Sequence, residues 1–211
     1  LNSSEKPLTL PSVYCGNIFF WAHVLRHNQL VIDEGEFFIK QTYRNRMDIA
    51  TERGVSPLII PLKKGKNSKQ PMRDVQISHA ENWIGLHQKT IRSAYGNAAY
   101  YEHYGPELEL LFSFRDTWLI DWNFRWFEYL LNELADKEKK VSRSPDYIPG
   151  EQAENDLREL MSPKQKQRLE HPAYYHVFFD RYEKPNNLSV LDLLLNEGPE
   201  SLRVLKNTAF S

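Results

Sequence analysis

Lys40-Gln41-Thr42-Tyr43-Arg44-Asn45-Arg46 concentrates three cations, two hydroxyls and two amides in seven residues. Alternate side chains of a strand share a face. On a strand from Phe37 to Ile49, Lys40, Thr42, Arg44 and Arg46 would line one face. Gln41, Tyr43 and Asn45 would line the other, which continues into Met47 and Ile49. Guanidinium forks match phosphate and carboxylate bidentately. Such a row could hold the phosphate of a nucleotide or sugar-phosphate, with Tyr43 and Asn45 orienting a neighbouring group. The competing reading is a solvated face paired with carboxylates such as Asp48. A buried Asn45 needs partners, as a ligand contact or as a hydrogen-bond hub.

His87 lies one helical turn from Trp83 on an apolar face. It is a packed core histidine or a general base, since an imidazole titrates near neutrality. His23 and His27 have i, i+4 spacing, yet no Glu completes an HExxH pattern and no third ligand is evident, so no metal is expected. Asp33, Glu34 and Glu36 are an acid/base or Mg²⁺ set, or an ordinary acidic turn around Gly35. Lys63-Lys64-Gly65-Lys66-Asn67 resembles a phosphate loop superficially. Ile60 stands where the first Walker glycine belongs, so a solvated loop is expected. Trp118, Trp122 and Trp126 form an i, i+4, i+8 stripe, suited to core, to a homo-oligomer interface or to stacking on a sugar. Cys15 has no basic neighbour in sequence to make it a nucleophile. No strong catalytic signature occurs, and the sequence names no cofactor.

The elements that must position these residues are mixed α/β. Leu8 to Leu10 reads as a strand, Gly16 to His27 as a helix and Leu30 to Ile32 as a strand. If this βαβ start is parallel, Ser12 to Asn17 and Asp33 to Glu36 lie at its carboxyl edge, where α/β sheets bind ligands. The Phe37–Ile49 strand and Ser56 to Leu62 form an expected hairpin around Thr51 to Val55. A third strand is expected over Met72 to Ile77. From Asn82 the period becomes helical. Helices are expected from Trp83 to Gly96, from Pro106, and from Asp116 to Ala135. Asp136 to Glu154 is polar, with two prolines and a glycine, and reads as a linker or mobile loop. Ser189 to Asp192 is a capping-box variant, with Leu188 and Leu193 as a hydrophobic staple. The expectation is one domain over residues 1–211: a mixed core over about 8–78 and a helical portion over about 81–207.

Bulk properties narrow the classes. The 211 residues carry 27 Lys+Arg against 28 Asp+Glu, without the one-sided field of a dedicated nucleic-acid binder. The single cysteine excludes an intrachain disulfide, which suits a cytoplasmic protein. No apolar run approaches a membrane span. An anionic small molecule is the expected partner.

Several motifs in order are similar to one family. Leu10-Pro11-Ser12-Val13-Tyr14-Cys15-Gly16-Asn17-Ile18-Phe19-Phe20-Trp21, Ile39 to Arg46 and Leu58-Ile59-Ile60-Pro61-Leu62 resemble the WbqC-like family. Trp83 with His87, Ser93-Ala94-Tyr95, Tyr100-Tyr101 and Asn187 to Glu200 continue the resemblance, which spans about Leu8 to Leu205. It implies a role in bacterial O-antigen or other surface-polysaccharide synthesis, as a transferase using a phosphate-bearing or activated donor. Two departures stand out. Leu10-Pro11-Ser12 replaces a His-Gln-Pro common in the family, and Tyr147 to Lys166 is polar where many members have Ser-Gly-Pro. Two readings follow: a transferase with His87 as base, or a non-catalytic ligand-binding or scaffold protein that keeps the fold.

Overall fold

A computed structural model describes residues 6–63, 70–135, 137–153, 155–165, 168–178, 180–181 and 187–210. β1 (Leu8–Leu10), α1 (Ile18–Arg26) and β2 (Gln29–Asp33) form the expected βαβ unit, with β1 and β2 parallel. Asn17 caps α1 by accepting from the Phe20 amide. Leu8, Leu10, Leu30 and Ile32 are all buried and share one face by alternation.

The sheet has four strands, in spatial order β5 (Lys140–Ser144), β2, β1 and β6 (Asn155–Asp156). β5 and β6 both run parallel to their neighbours. Counted along the chain, this places the third strand, second, first and then fourth. That is the arrangement of a doubly wound sheet, which changes direction beside its first strand. β5 lies within the stretch read as a polar linker. Its Lys-Val-Ser-Arg-Ser sequence carries a single apolar residue because it is an edge strand with mostly exposed side chains.

The hairpin is a separate two-stranded sheet of β3 (Arg46–Thr51) and β4 (Gly54–Ile59). β3 begins nine residues later than expected. Residues 37–45 are not a strand: Phe38 donates to the Gln70 carbonyl, Gln41 has φ 60° and Thr42 donates to the Ile39 carbonyl. The pattern of 37–49 suited a strand, but buried charge at Arg44 decides the path of its first half. Met72–Asp74 is a 3-10 turn rather than a strand, and only Gln76 and Ile77 make bridges.

α2 (Trp83–Tyr95), α3 (Tyr101–Ser113) and α4 (Leu119–Leu134) supply the expected helical portion. α3 starts five residues before Pro106, so the proline lies inside the helix rather than at its first position. One hydrophobic cluster joins the parallel sheet, the hairpin and the helices, with Trp122 and Trp126 fully buried at its centre. The tryptophan stripe is therefore core at those two positions, while Trp118 is 36% exposed.

At the C-terminus, α5 (Val190–Glu197) and α6 (Ser201–Lys206) follow the Asn187 to Val190 segment. That segment serves the start of α1. The Ile18 amide donates to the Leu188 carbonyl, and the Phe19 amide to Asn187 Oδ1. Ser189 caps α5 as expected. Asp192 is instead buried, accepting from the Tyr95 and Tyr174 hydroxyls. β7 (Leu169–Glu170) and β8 (Ala209–Phe210) pair antiparallel.

Candidate functional site

The carboxyl edge of the parallel sheet collects the densest charge. Asp33 ends β2, Glu34 and Glu36 follow it, and Arg158 lies just past β6. Each of these carboxylates holds an arginine. Arg158 pairs with Asp33 and Asp156, Arg143 with Glu34, and Arg44 with Glu36. Arg44, 1% exposed, donates its Nε to Glu36 Oε1 at 3.0 Å and a further N–H to the Arg158 carbonyl at 3.1 Å. Burial pushes the Glu36 carboxyl up to about 7, against the pull of Arg44. The acidic set thus has the ordinary-turn geometry around Gly35, reinforced by arginines.

A strap of residues 145–153 seals this edge. The Ile148 amide donates to Asp33 Oδ2 at 3.2 Å, and Arg158 donates to the Ile148 carbonyl. Gly35 admits the strap, because a Cβ there would lie 2.1 Å from the Tyr147 nitrogen. The doubly wound order places a ligand crevice at such an edge. Here the protein's own guanidinium groups and strap fill it.

The five residues expected to bind an anion have separate placements. Lys40 is exposed in a turn. Tyr43 is buried, its backbone tied to Tyr14 and Met161. Burial, then the Asp48 charge, raises its phenol above the usual range. Arg44 belongs to the Glu36 pair. Asn45 donates to the Ile60 carbonyl at 2.9 Å, which is the hub geometry. Arg46, on β3, reaches Asp48 at 2.7 Å. No shared strand face forms across 40–46, since only Arg46 lies on a strand.

His87 occupies different ground. It is 2% exposed on α2, and its Nδ1 lies 3.1 Å from the Tyr14 hydroxyl. Burial lowers its pKa to about 4, against a smaller opposing effect of the Ile59 backbone. The ring is neutral at pH 7. Trp83 meets it edge-on at 5.1 Å, and Tyr14 stacks on it at 5.9 Å. His87, Trp83, Leu58 and Ile59 line a cavity of about 550 Å³ between β4 and α2, with Glu81 and Asn82 at the N-terminal end of the helix. None of residues 40–46 lines it. From the Ser12 to Asn17 loop, Tyr14 reaches His87.

Tyr14 and Arg158 carry much of this geometry, and the sequence singled out neither by chemistry. Tyr14 lies 73 positions from His87, and Arg158 lies 125 from Asp33. No local spacing connects either pair. His23 and His27 do not converge on a ligand: the His27 Nδ1 faces the His23 carbonyl at 2.9 Å, and His23 packs on Phe19. Among the described residues no group of three His, Cys, Asp or Glu is arranged to hold a metal. Cys15 is buried with its thiol pKa pushed well up by burial. The Lys64 to Asn67 part of the phosphate-loop comparison lies outside the described residues. No helix among the described residues is long and apolar enough to cross a membrane.

No curated protein matches the chain, and no solved structure does. A model of the WbqC-like protein family matches residues 13–170, about three quarters of the 211-residue chain. The match takes in the sheet edge, the hairpin and His87, and ends before the Asn187 to Glu200 segment. The chain belongs to the WbqC-like protein family.

Proposed function

We propose that this chain is a small-molecule-binding protein of the transferase kind, and that its ligand enters the cavity between β4 and α2, against His87. The observation that carries this reading is the neutral His87, backed by Tyr14 and flanked by Trp83, in the wall of a cavity of about 550 Å³. Ligand cavities commonly combine apolar walls, a few polar groups and a residue with a shifted pKa. Burial keeps His87 unprotonated at neutral pH, the state required of a base. With a pKa of about 4 it is a weak base, so hydrogen bonding and orientation of the acceptor are its larger contribution. The donor in this reading is a phosphate-bearing or activated molecule of bacterial surface-polysaccharide synthesis of the O-antigen type, handled in the cytoplasm. The family resemblance supplies that context.

A second reading has its own support. Arg44 is committed to Glu36 and Arg46 to Asp48, which suits a non-catalytic ligand-binding or scaffold protein that keeps the family fold. A thermal-shift screen separates the two. The full chain is tested, with and without Mg²⁺, against nucleotide sugars, coenzyme A, aminoacyl-adenylate mimics and pyrophosphate. A ligand at 100 times its Kd stabilises by about 2.7 kcal/mol. The transferase reading expects one class to do so and His87→Gln to weaken it. No shift with any class supports the scaffold.

A further inference from the structure

A second cavity of about 430 Å³ lies beside the first and shares Leu86 and Thr90 with it. The hairpin supplies Ser56 to Ile59 to the first cavity and Thr51 to Arg53 to the second. α2 runs along both, from Trp83 in the first to Ala94 in the second. Those eleven steps span about 16 Å at the helical rise of roughly 1.5 Å per residue. The two cavities are therefore successive lobes of one groove.

The lobes differ in charge. His87 and Trp83 wall the first, with Glu81 as its charged residue. Arg53, Lys89 and Arg181 stand in the second against one carboxylate, Glu52. Arg181 holds Glu52 at 2.7 Å in a pair that is more than half exposed on both sides. Such a pair is weak and can open to an incoming anion. Arg53 and Lys89 hold no carboxylate among the described residues, whereas Arg44, Arg46, Arg143 and Arg158 each hold at least one. Thr90 and Ser93 add hydroxyls to the same lobe. The C-terminal end of α2 carries about half a negative charge. Three positive charges against Glu52 leave a net of two, which outweighs it.

We propose that the second lobe, with Arg53, Lys89 and Arg181, binds the phosphate end of an elongated ligand whose uncharged head reaches His87 and Trp83. This rests on the reading that the His87 cavity is a ligand site, and it narrows the ligand to a nucleoside diphosphate or a molecule of that shape. The phosphates take Arg53 and Lys89, with Arg181 once its exposed pair with Glu52 opens, and the ring system takes the aromatic lobe, where Trp83 lies six residues from Lys89, about 9 Å along α2.

Calorimetric titration of the full chain with inorganic pyrophosphate and with uridine diphosphate tests it. Pyrophosphate needs only the cationic lobe, and the nucleotide uses both. Arg53 and Lys89 are exposed, so the double variant Arg53→Ala/Lys89→Ala keeps its fold, checked by an unchanged melting temperature. Removing charge-assisted bonds should weaken both probes about ten-fold or more. His87→Gln should leave pyrophosphate unaffected and weaken the nucleotide alone. If pyrophosphate binds through these cations and the nucleotide binds no more tightly, the cationic lobe stands and the His87 site falls. If pyrophosphate does not bind, or binds equally to the double variant, the proposal is overturned whatever the nucleotide does.

Discussion

At the carboxyl edge of the parallel sheet, Asp33, Glu36, Arg44 and Arg158 are all buried and all paired. Along the groove beside α2, Arg53 and Lys89 are exposed and His87 is buried but neutral. Both regions carry several cations, yet those at the sheet edge are tied to carboxylates, while Arg53 and Lys89 hold none among the described residues. The sheet edge uses its charge on itself, so that the doubly wound crevice becomes a fastening for the 145–153 strap. What separates the two is desolvated pairing, which the number of cations in either segment does not reveal.

Removing one partner at the sheet edge should have the largest effect. Glu36→Ala strands Arg44, which cannot shed its charge, in a site where it is 1% exposed. Breaking such a pair costs about 3–5 kcal/mol, read as a lowered midpoint in urea. Arg44→Ala should cost less, because Glu36 already titrates near 7 and can take a proton. Equal losses from the two variants would mean that Glu36 stays ionised without its partner.

Closing the strap's approach comes next. In Gly35→Ala the new methyl meets the Tyr147 and Asp146 backbone. Overpacking of this kind costs about 1–3 kcal/mol. Protease nicking within 145–153 should rise in the same variant, while wild-type susceptibility there would show that the strap is not held by this contact.

The two regions should also tilt stability with pH in opposite directions. His87 has a lowered pKa in the folded state, so its contribution is complete above about 6.5 and is lost as pH falls toward about 4. Glu36 has a raised one, so its contribution is complete below about 4.5 and is lost as pH rises through about 7. Urea titrations across pH 4–8 should show a shallower acid limb for His87→Gln than for wild type. For Glu36→Gln the decline from pH 4.5 toward 7 should be smaller. A His87→Gln profile parallel to wild type would place a protonated ring in the folded state.

Arg46→Ala should matter least. Its pair with Asp48 is partly exposed, and exposed pairs are worth about 0.2–1 kcal/mol. A loss comparable to that of Glu36→Ala would make Arg46 part of the same buried network.

Much of this arrangement was legible in the sequence. Apolar strands around an amphipathic helix announced the βαβ unit, and the period from Asn82 announced α2 with His87 on its buried face. The competing reading of Arg46, paired with Asp48, is the geometry found. Two features were hidden for physical reasons. β5 is an edge strand whose Lys140, Ser142 and Arg143 are exposed, so it lacks the apolar pattern that marks a strand. Lys40 to Arg46 alternated like a strand, but Arg44 turns inward to Glu36, and no local rule anticipates a buried fork. The groove could not be read at all, since Arg53, Lys89 and Arg181 meet only after the hairpin packs against α2.

Chemical-shift mapping of the ¹⁵N-labelled chain with uridine diphosphate addresses the comparison most directly. Perturbed amides are expected at Arg53, Trp83, His87 and Lys89, with the indole signal of Trp83 moving among them. Perturbations confined to Lys40 through Arg46 and the Arg158 segment would contradict this placement and return the ligand to the sheet edge.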